Sequence, residues 1–311
     1  MELVSLHSST IEVLKKDFSK GKIAHSYIFS GRDGIGKKDV ALFFARASLC
    51  QSNDFYCGRC HSCTVKNHPD IIFVDREEGS ERIKAEDVRE IILLTHISPF
   101  LSQKRFIIIN YSHLLSKQAF SALLKTIEEP SSQTVFILIT SKIHNIPSTL
   151  ISRSRIIRLS IRKDDFVRFI LEKIDFSDEE YANLLWLLTA GSISYAMELD
   201  KLGIREMTKS VSALFDEPQS IVDFVLKIAD TKKSPQEQRD MARLILNISE
   251  SMLVSTLGTE SDILKSFIPE KLIRLPEKKK VEIWERIQNS KRKIEAFANI
   301  PLSIASEFLQ I

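Results

Sequence analysis

The stretch from Gly31 to Lys38, GRDGIGKK, fits a phosphate-gripping loop at every defining position but the last. In the pattern G-x-x-x-x-G-K-[ST], glycines let backbone N–H groups curl around phosphates, the lysine reaches the outer phosphates, and the closing hydroxyl holds magnesium. Gly31, Gly36 and Lys37 satisfy it, and Gly34 adds a further flexible link. Lys38 stands where the hydroxyl belongs, and an ammonium repels magnesium and has no lone pair to give it. A hydrolysing site also needs acids at the tip of a later strand, to hold the metal and polarise the attacking water. The natural tip, RFIIIN, closes on Asn110 and is followed by Tyr111. With the hydroxyl and the acids both missing, neither a magnesium site nor ATP hydrolysis by this chain alone is expected. Whether ATP or ADP still occupies the loop, or the loop only shapes a turn, these residues leave open.

All four cysteines fall within one short stretch, as Cys50, Cys57, Cys60 and Cys63. The spacing C-x6-C-x2-C-x2-C, with Gly58 to permit a tight turn, lets four thiolates converge on one tetrahedral ion. Four sulfurs close the shell and leave no position for water, so structural zinc is the expected ligand. An iron–sulfur cluster and four unrelated buried cysteines are the alternatives. The ion is expected to staple a local loop outside the main core. A third candidate is Arg153, within Ser152–Arg155 just before a strand-like run. It is either an ordinary solvated cation or a guanidinium that reaches a neighbouring subunit's phosphates.

The elements that must position these groups alternate. HSYIFS (25–30), DIIFVD (70–75), RFIIIN (105–110), TVFILIT (134–140) and RIIRLS (155–160) read as five buried, mostly parallel strands, too continuously apolar for a sheet with a wet face. KKDVALFFARASL, KAEDVREIILLTH and SKQAFSALLKTIEE between them carry apolar residues at helical spacing, which predicts a doubly wound α/β sheet with the phosphate loop between the first strand and first helix. After about residue 162 the strand signal fades. KDDFVRFILEKI, SDEEYANLLWLLTA and SISYAMELDKL read as three helices punctuated at Gly191. From residue 207 every strong segment is helix-periodic, including SIVDFVLKIAD and the terminal IPLSIASEFLQI. The predicted organisation is an α/β domain over 1–161 carrying the cysteine module at 50–63, a small helical domain over 162–206 and an all-α domain over 207–311.

Composition narrows the function classes. The 311 residues carry 44 Lys+Arg against 41 Asp+Glu, a net +3, so bulk charge alone does not call for nucleic acid. The opening residues lack the basic-then-apolar order of a signal peptide and no apolar run approaches the ~20 residues of a membrane span, so a cytoplasmic location is expected. The basic runs Lys278–Lys280 and Lys291–Lys293 lie near glutamates on a predicted helix and read as a solvated face, the alternative being contact with DNA or an acidic partner.

Taken in order, AHSYIFSGRDGIGKK, the four-cysteine insertion, NHPDIIFVD, FSALLKTIEEPSSQTVFILIT and STLISRSRIIRL resemble the clamp-loader branch of the AAA+ family, in particular the δ′ subunits of bacterial DNA polymerase III. The match is close over residues 20–160. The family's LLKTLEEPP and Ser-Arg-Cys hallmarks read here as Leu123 to Pro130 with Ile127, and as Ser152-Arg153-Ser154. ATP-hydrolysing γ/τ subunits carry a Gly-Ser-x-Arg-Asp sensor, which here is Gly191-Ser192-Ile193-Ser194-Tyr195, without the arginine. The resemblance implies an AAA+ P-loop domain, a helical lid and a C-terminal collar in an assembly with γ/τ and δ subunits that places a sliding clamp on primed DNA. It further implies that Arg153 serves in trans as an arginine finger on a γ/τ subunit's ATP while this chain does not hydrolyse. A γ/τ-type ATPase with an unusual loop is the alternative. A stand-alone zinc-containing DNA-binding protein is another, although QSNDFYCGRCHSCTVKNH is only mildly basic.

Overall fold

All five predicted strands form: β1 (Ser26–Ser30), β2 (Ile71–Val74), β3 (Arg105–Ile109), β4 (Thr134–Thr140) and β5 (Arg155–Arg158). They make one sheet in the order β2-β3-β4-β1-β5, with every neighbouring pair parallel. The structure, a computed structural model, describes residues 2–52, 55–65, 67–76, 83, 85–130, 133–216, 234–257 and 267–295. The chain divides into two units, Met1–Arg162 and Lys163–Ile311.

Within the first unit, β3 and β4 are buried along their whole length and β1 nearly so, as expected of inner strands covered by helices on both faces. The edges differ from the expectation of five dry strands. β2 is half-buried, and β5 is exposed at both ends, at Arg155 and Arg158. Arg155 pairs with Asp17 at 2.6 Å. Charge on an outer strand blunts an otherwise sticky edge.

The covering helices are α1 (Glu2–Ser5), α2 (Ser8–Ser19), α3 (Lys37–Ser48), α4 (His61–Thr64), α5 (Ala85–Leu94), α6 (Lys117–Glu128) and α7 (Ser148–Arg153). α6 is started by Ser116, whose hydroxyl accepts the Ala119 N–H at 3.2 Å, and its Ala119, Phe120, Leu123 and Ile127 enter the core with Val88 and Ile91 of α5. Two buried charges fix the chain between α5 and β3. Asp70, wholly buried, accepts the backbone N–H groups of Phe100, Leu101 and Ser102 at 2.6, 2.8 and 2.9 Å. Arg105, equally buried, donates to the carbonyls of Leu94, Ile97 and Ser98.

The second unit is helical: α8 (Lys163–Lys173), α9 (Glu179–Thr189), α10 (Ile193–Lys201), α11 (Ile204–Asp216), α12 (Pro235–Ser255), α13 (Glu270–Arg274) and α14 (Glu277–Glu295). Residue 206 falls inside α11, which packs on both α10 and α12. Gly191, at φ +84°, is more than punctuation, because a Cβ there would stand 2.7 Å from the Trp186 ring. α12 begins with a capping box between Ser234 and Glu237 and packs along α14, where Glu250 accepts from Trp284, Gln288 and Lys291. The reading of the basic runs as a solvated face is corrected at two positions. Lys291 is committed to Glu250, and Lys280, only 6% exposed, donates to the Thr256 and Ile273 carbonyls at 3.3 and 3.2 Å. Cations at helix C-termini satisfy carbonyls that have no intrahelical partner. SIVDFVLKIAD and IPLSIASEFLQI lie outside the described residues. Among the described residues, no helix is long and apolar enough to cross a membrane.

Candidate functional site

The phosphate loop joins β1 to α3. Gly31 has no room for a side chain, since a Cβ would collide with the Leu159 carbonyl at the end of β5. Gly34 and Gly36 take φ +73° and +87°, which glycine adopts without the steric cost of a Cβ. Lys37 is 6% exposed. Its ammonium turns back onto the loop, donating to the carbonyls of Gly31, at 2.8 Å, and Arg32, with Asp33 Oδ1 at 3.4 Å. Burial lowers its pKa, and Asp33 works against that shift. The N-terminal residues lie against this loop. Leu3 fills the space that a Cβ on Gly36 would need, and the buried His7 donates from Nε2 to the Ile35 carbonyl at 2.6 Å. Burial lowers the pKa of His7.

The sequence points to an acid missing at 110 and 111; the structure supplies a carboxylate from elsewhere. Asp75, one residue beyond β2, receives the Asn110 amide on both oxygens at 3.2 and 3.1 Å. Lys38 Nζ is 3.9 Å from its Oδ2 and lies 4.3 Å over the Phe73 ring. Tyr111 has left-handed backbone, φ +46°, and its ring stacks on Arg76 at 4.7 Å. The acid closing DIIFVD was the available signal, but its pairing with residues 35 positions away was not. This donor set does not fit magnesium, because the carboxylate is engaged by an amide donor and flanked by an ammonium where the ion's charge would have to sit.

The four cysteines converge. All four Sγ atoms lie within 4.8 Å of one another, with Cys50–Cys60 at 3.8 Å and Cys57–Cys63 at 4.0 Å. A tetrahedral Zn–S shell of ~2.3 Å bonds needs sulfur edges of about 3.8 Å. Gly58 supplies φ +69° for the turn, and the Cys60 N–H points at Cys57 Sγ at 3.3 Å. Backbone N–H groups of Arg59 and Cys60 pull the Cys57 thiol down to about 6, whereas burial pushes Cys63 up to about 12. The residues fit a metal such as zinc, which would hold all four as thiolates.

The module is not a loop outside the core, as the spacing alone suggests. Phe55 is 8% exposed and packs against Phe18, Phe43 and Phe44, with ring centroids at 5.3, 6.0 and 6.4 Å; Phe44 in turn meets Tyr27 of β1 and Phe106 of β3. On its other side, buried Ser62 meets His68 Nε2 at 3.2 Å, and His68 Nδ1 accepts the Asp70 N–H at 3.1 Å. Burial lowers the pKa of this imidazole.

Arg153 is the last residue of α7. Its Nη2 lies 3.0 Å from Glu128 Oε1 at the end of α6, and Nη1 donates to the Thr149 carbonyl at 3.2 Å. Both side chains are 41% exposed, so the guanidinium is displayed at the surface rather than built into the core. An acid at a helix C-terminus opposes the macrodipole, and the arginine offsets it. Ser154, where the resemblance has cysteine, bonds Ser26 Oγ at 2.7 Å and so ties the end of α7 to β1. Ser192 caps α10, which leaves Ser194 in its first turn where a sensor arginine would stand.

The family described as DNA polymerase III, delta subunit, matches residues 6–163. Among curated proteins, DNA polymerase III subunit gamma of Buchnera aphidicola subsp. Acyrthosiphon pisum is 33% identical over 182 residues, covering 55% of this chain and 49% of that one. DNA polymerase III subunit tau of Escherichia coli is 28% identical over 268 residues, covering 80% of this chain and 41% of that one. The chain thus spans about half, or less, of the length of the curated relatives it matches. A DNA polymerase III gamma subunit-related protein from Thermotoga maritima superposes with a TM-score of 0.50 at 20% identity, covering 97% of this chain and 99% of that one, a likeness of fold.

Proposed function

The chain belongs to the DNA polymerase III delta-subunit family, and on that premise we propose that it is a δ′-type, non-hydrolysing subunit of a bacterial clamp loader. In this reading it assembles in the cytoplasm with γ/τ and δ subunits to load a sliding clamp on primed DNA. Its three parts are an AAA+ P-loop domain with a structural zinc, a helical lid to about residue 206 and a C-terminal collar. The observation that carries the reading is the arrangement at the loop's metal side. Lys38, Asp75 and Asn110 occupy one another, so nothing there would hold magnesium or activate water. A loop that keeps Gly31, Gly34, Gly36 and Lys37 but ties its lysine to its own carbonyls would hold a nucleotide weakly and without metal.

Arg153 is the residue through which this chain acts on chemistry elsewhere. A planar guanidinium at an exposed helix end presents two N–H edges, matched to two oxygens of a phosphoryl group. Supplying such a finger is worth about 10³–10⁵ in rate where it has been measured. In the assembly with γ/τ and δ, Arg153→Ala should leave subunit association unchanged and lower DNA-stimulated ATP turnover in part, because one active site loses its finger while the others keep theirs. Arg153→Lys should restore little. Substantial hydrolysis by the purified chain would favour a γ/τ-type ATPase instead, and unchanged turnover in the alanine-substituted assembly would remove Arg153 from the mechanism.

A further inference from the structure

Phe176 combines two features that a bulky apolar residue rarely carries together. Its backbone is left-handed, φ +59°, a conformation that crowds a Cβ and that glycine or asparagine fills at less cost. Its side chain is also 97% exposed. Two other non-glycine residues among those described share a positive φ. Tyr111 lays its ring against Arg76 and His113, and Ala190 has no ring to place. Among the described residues, Phe176 gains no ring or cation contact of that kind in return for its strain.

The turn that carries it is firmly held. The Phe176 carbonyl accepts from Arg205 Nη2 at 3.3 Å, and the same guanidinium bonds Asp178 Oδ2 at 3.2 and 3.3 Å and lies 4.3 Å over the Tyr181 ring. Asp178 caps α9 by accepting the Tyr181 N–H at 2.7 Å, and the Tyr181 hydroxyl donates to Asp200 at 2.9 Å. Groups from α9, α10 and α11 therefore fix one turn with its ring pointed into solvent. A backbone already fixed in place loses little freedom on docking, and exposed aromatic side chains are frequent anchors of interfaces.

Charge indicates what would receive it. Residues 172–180, EKIDFSDEE, hold five acids and one lysine. Glu179 and Glu180 answer the N-terminal dipole of α9, but Glu172 and Asp175 lie outside that turn and are exposed.

We propose that Phe176 anchors a docking surface for a different subunit of the assembly, entering an apolar socket rimmed by lysine or arginine. This rests on the reading above that the chain works among γ/τ and δ subunits. The test uses the full chain with Phe176→Gly, Phe176→Ala and Asp175→Lys, first alone by thermal denaturation and then titrated with γ/τ and δ subunits. Relief of the left-handed strain, less the extra freedom glycine has when unfolded, should raise the melting temperature of the glycine variant by about 2 °C. The alanine variant should melt no lower than the parent. Both should join the partner subunits about 10- to 100-fold more weakly, and Asp175→Lys should slow association and flatten its salt dependence. Glycine and alanine variants that assemble with parental affinity overturn the proposal alone. A lower melting temperature for the alanine variant overturns it too, since the ring would then be packed within its own chain. Self-association of the parent that Phe176→Ala abolishes would put a second copy in the socket and overturn the assignment. A parent chain that does not join γ/τ and δ at all removes the proposed function along with this partner.

Discussion

Stripping the ion from Cys50, Cys57, Cys60 and Cys63 should destabilise the sheet as well as the insertion. Phe55 lies between Cys50 and Cys57 in the sequence and is packed by three phenylalanines, of which Phe44 leads on to β1 and β3. Losing a buried phenylalanine costs about 3–5 kcal/mol. If metal removal frees Phe55 and Tyr56, that contribution is lost with the partial packing of Tyr56 on Phe43. For a unit the size of Met1–Arg162, each kcal/mol moves the melting temperature by about 2–4 °C, so chelation or Cys60→Ser should lower it by about 10 °C. Calorimetry paired with elemental analysis, expected to find about one zinc per chain, measures both halves. The decisive arm is the cycle with Phe55→Ala. If the metal acts by holding Phe55 in place, Cys60→Ser added to Phe55→Ala should cost little more than either change alone. A metal-free chain that melts normally, or two costs that simply add, would refute the coupling.

Lys38→Thr returns one hydroxyl but leaves Asn110 and Tyr111, so no gain in ATP hydrolysis is expected; only the combination with Asn110→Asp and Tyr111→Glu tests whether the pocket can be revived, and turnover by the single variant would show the site to be misread. Acid should destabilise the chain early. Burial lowers the pKa of His7, His68 and His113 below 6.5, so as pH falls through about 6.5 the unfolded chain takes up protons that the folded one refuses, and stability declines until the lowered values are passed. Melting curves between pH 7.5 and 5.5 should show this, and His7→Gln should flatten the slope; an unchanged slope would exclude His7 from it.

What the sequence determined on its own was whatever is local along the chain. Alternating β-branched runs and helical periodicity gave all five strands and the longer helices α3, α5 and α6 between them, though not α1, α2 or the short α4 and α7, because a strand or helix face repeats every two or three to four residues. The glycines and lysine of the loop and the cysteine spacing were legible because each lies within one short stretch, and the residue types at 38, 110 and 111 because a residue type is read position by position. Tertiary structure decided the rest. Parallel strands bring together ends that are far apart in sequence, and the order β2-β3-β4-β1-β5 sets Asp75 beside Asn110 and Lys38. It likewise places Asp70 and Arg105 side by side to hold one loop from beneath. Burial also reverses what a residue type suggests: Lys280 reads as one of three solvated lysines until two helix ends close over it, and Phe55 reads as part of a surface insertion until the sheet's aromatics receive it. A side chain's chemistry is written in the sequence, but its partners and its access to water are properties of the packed whole.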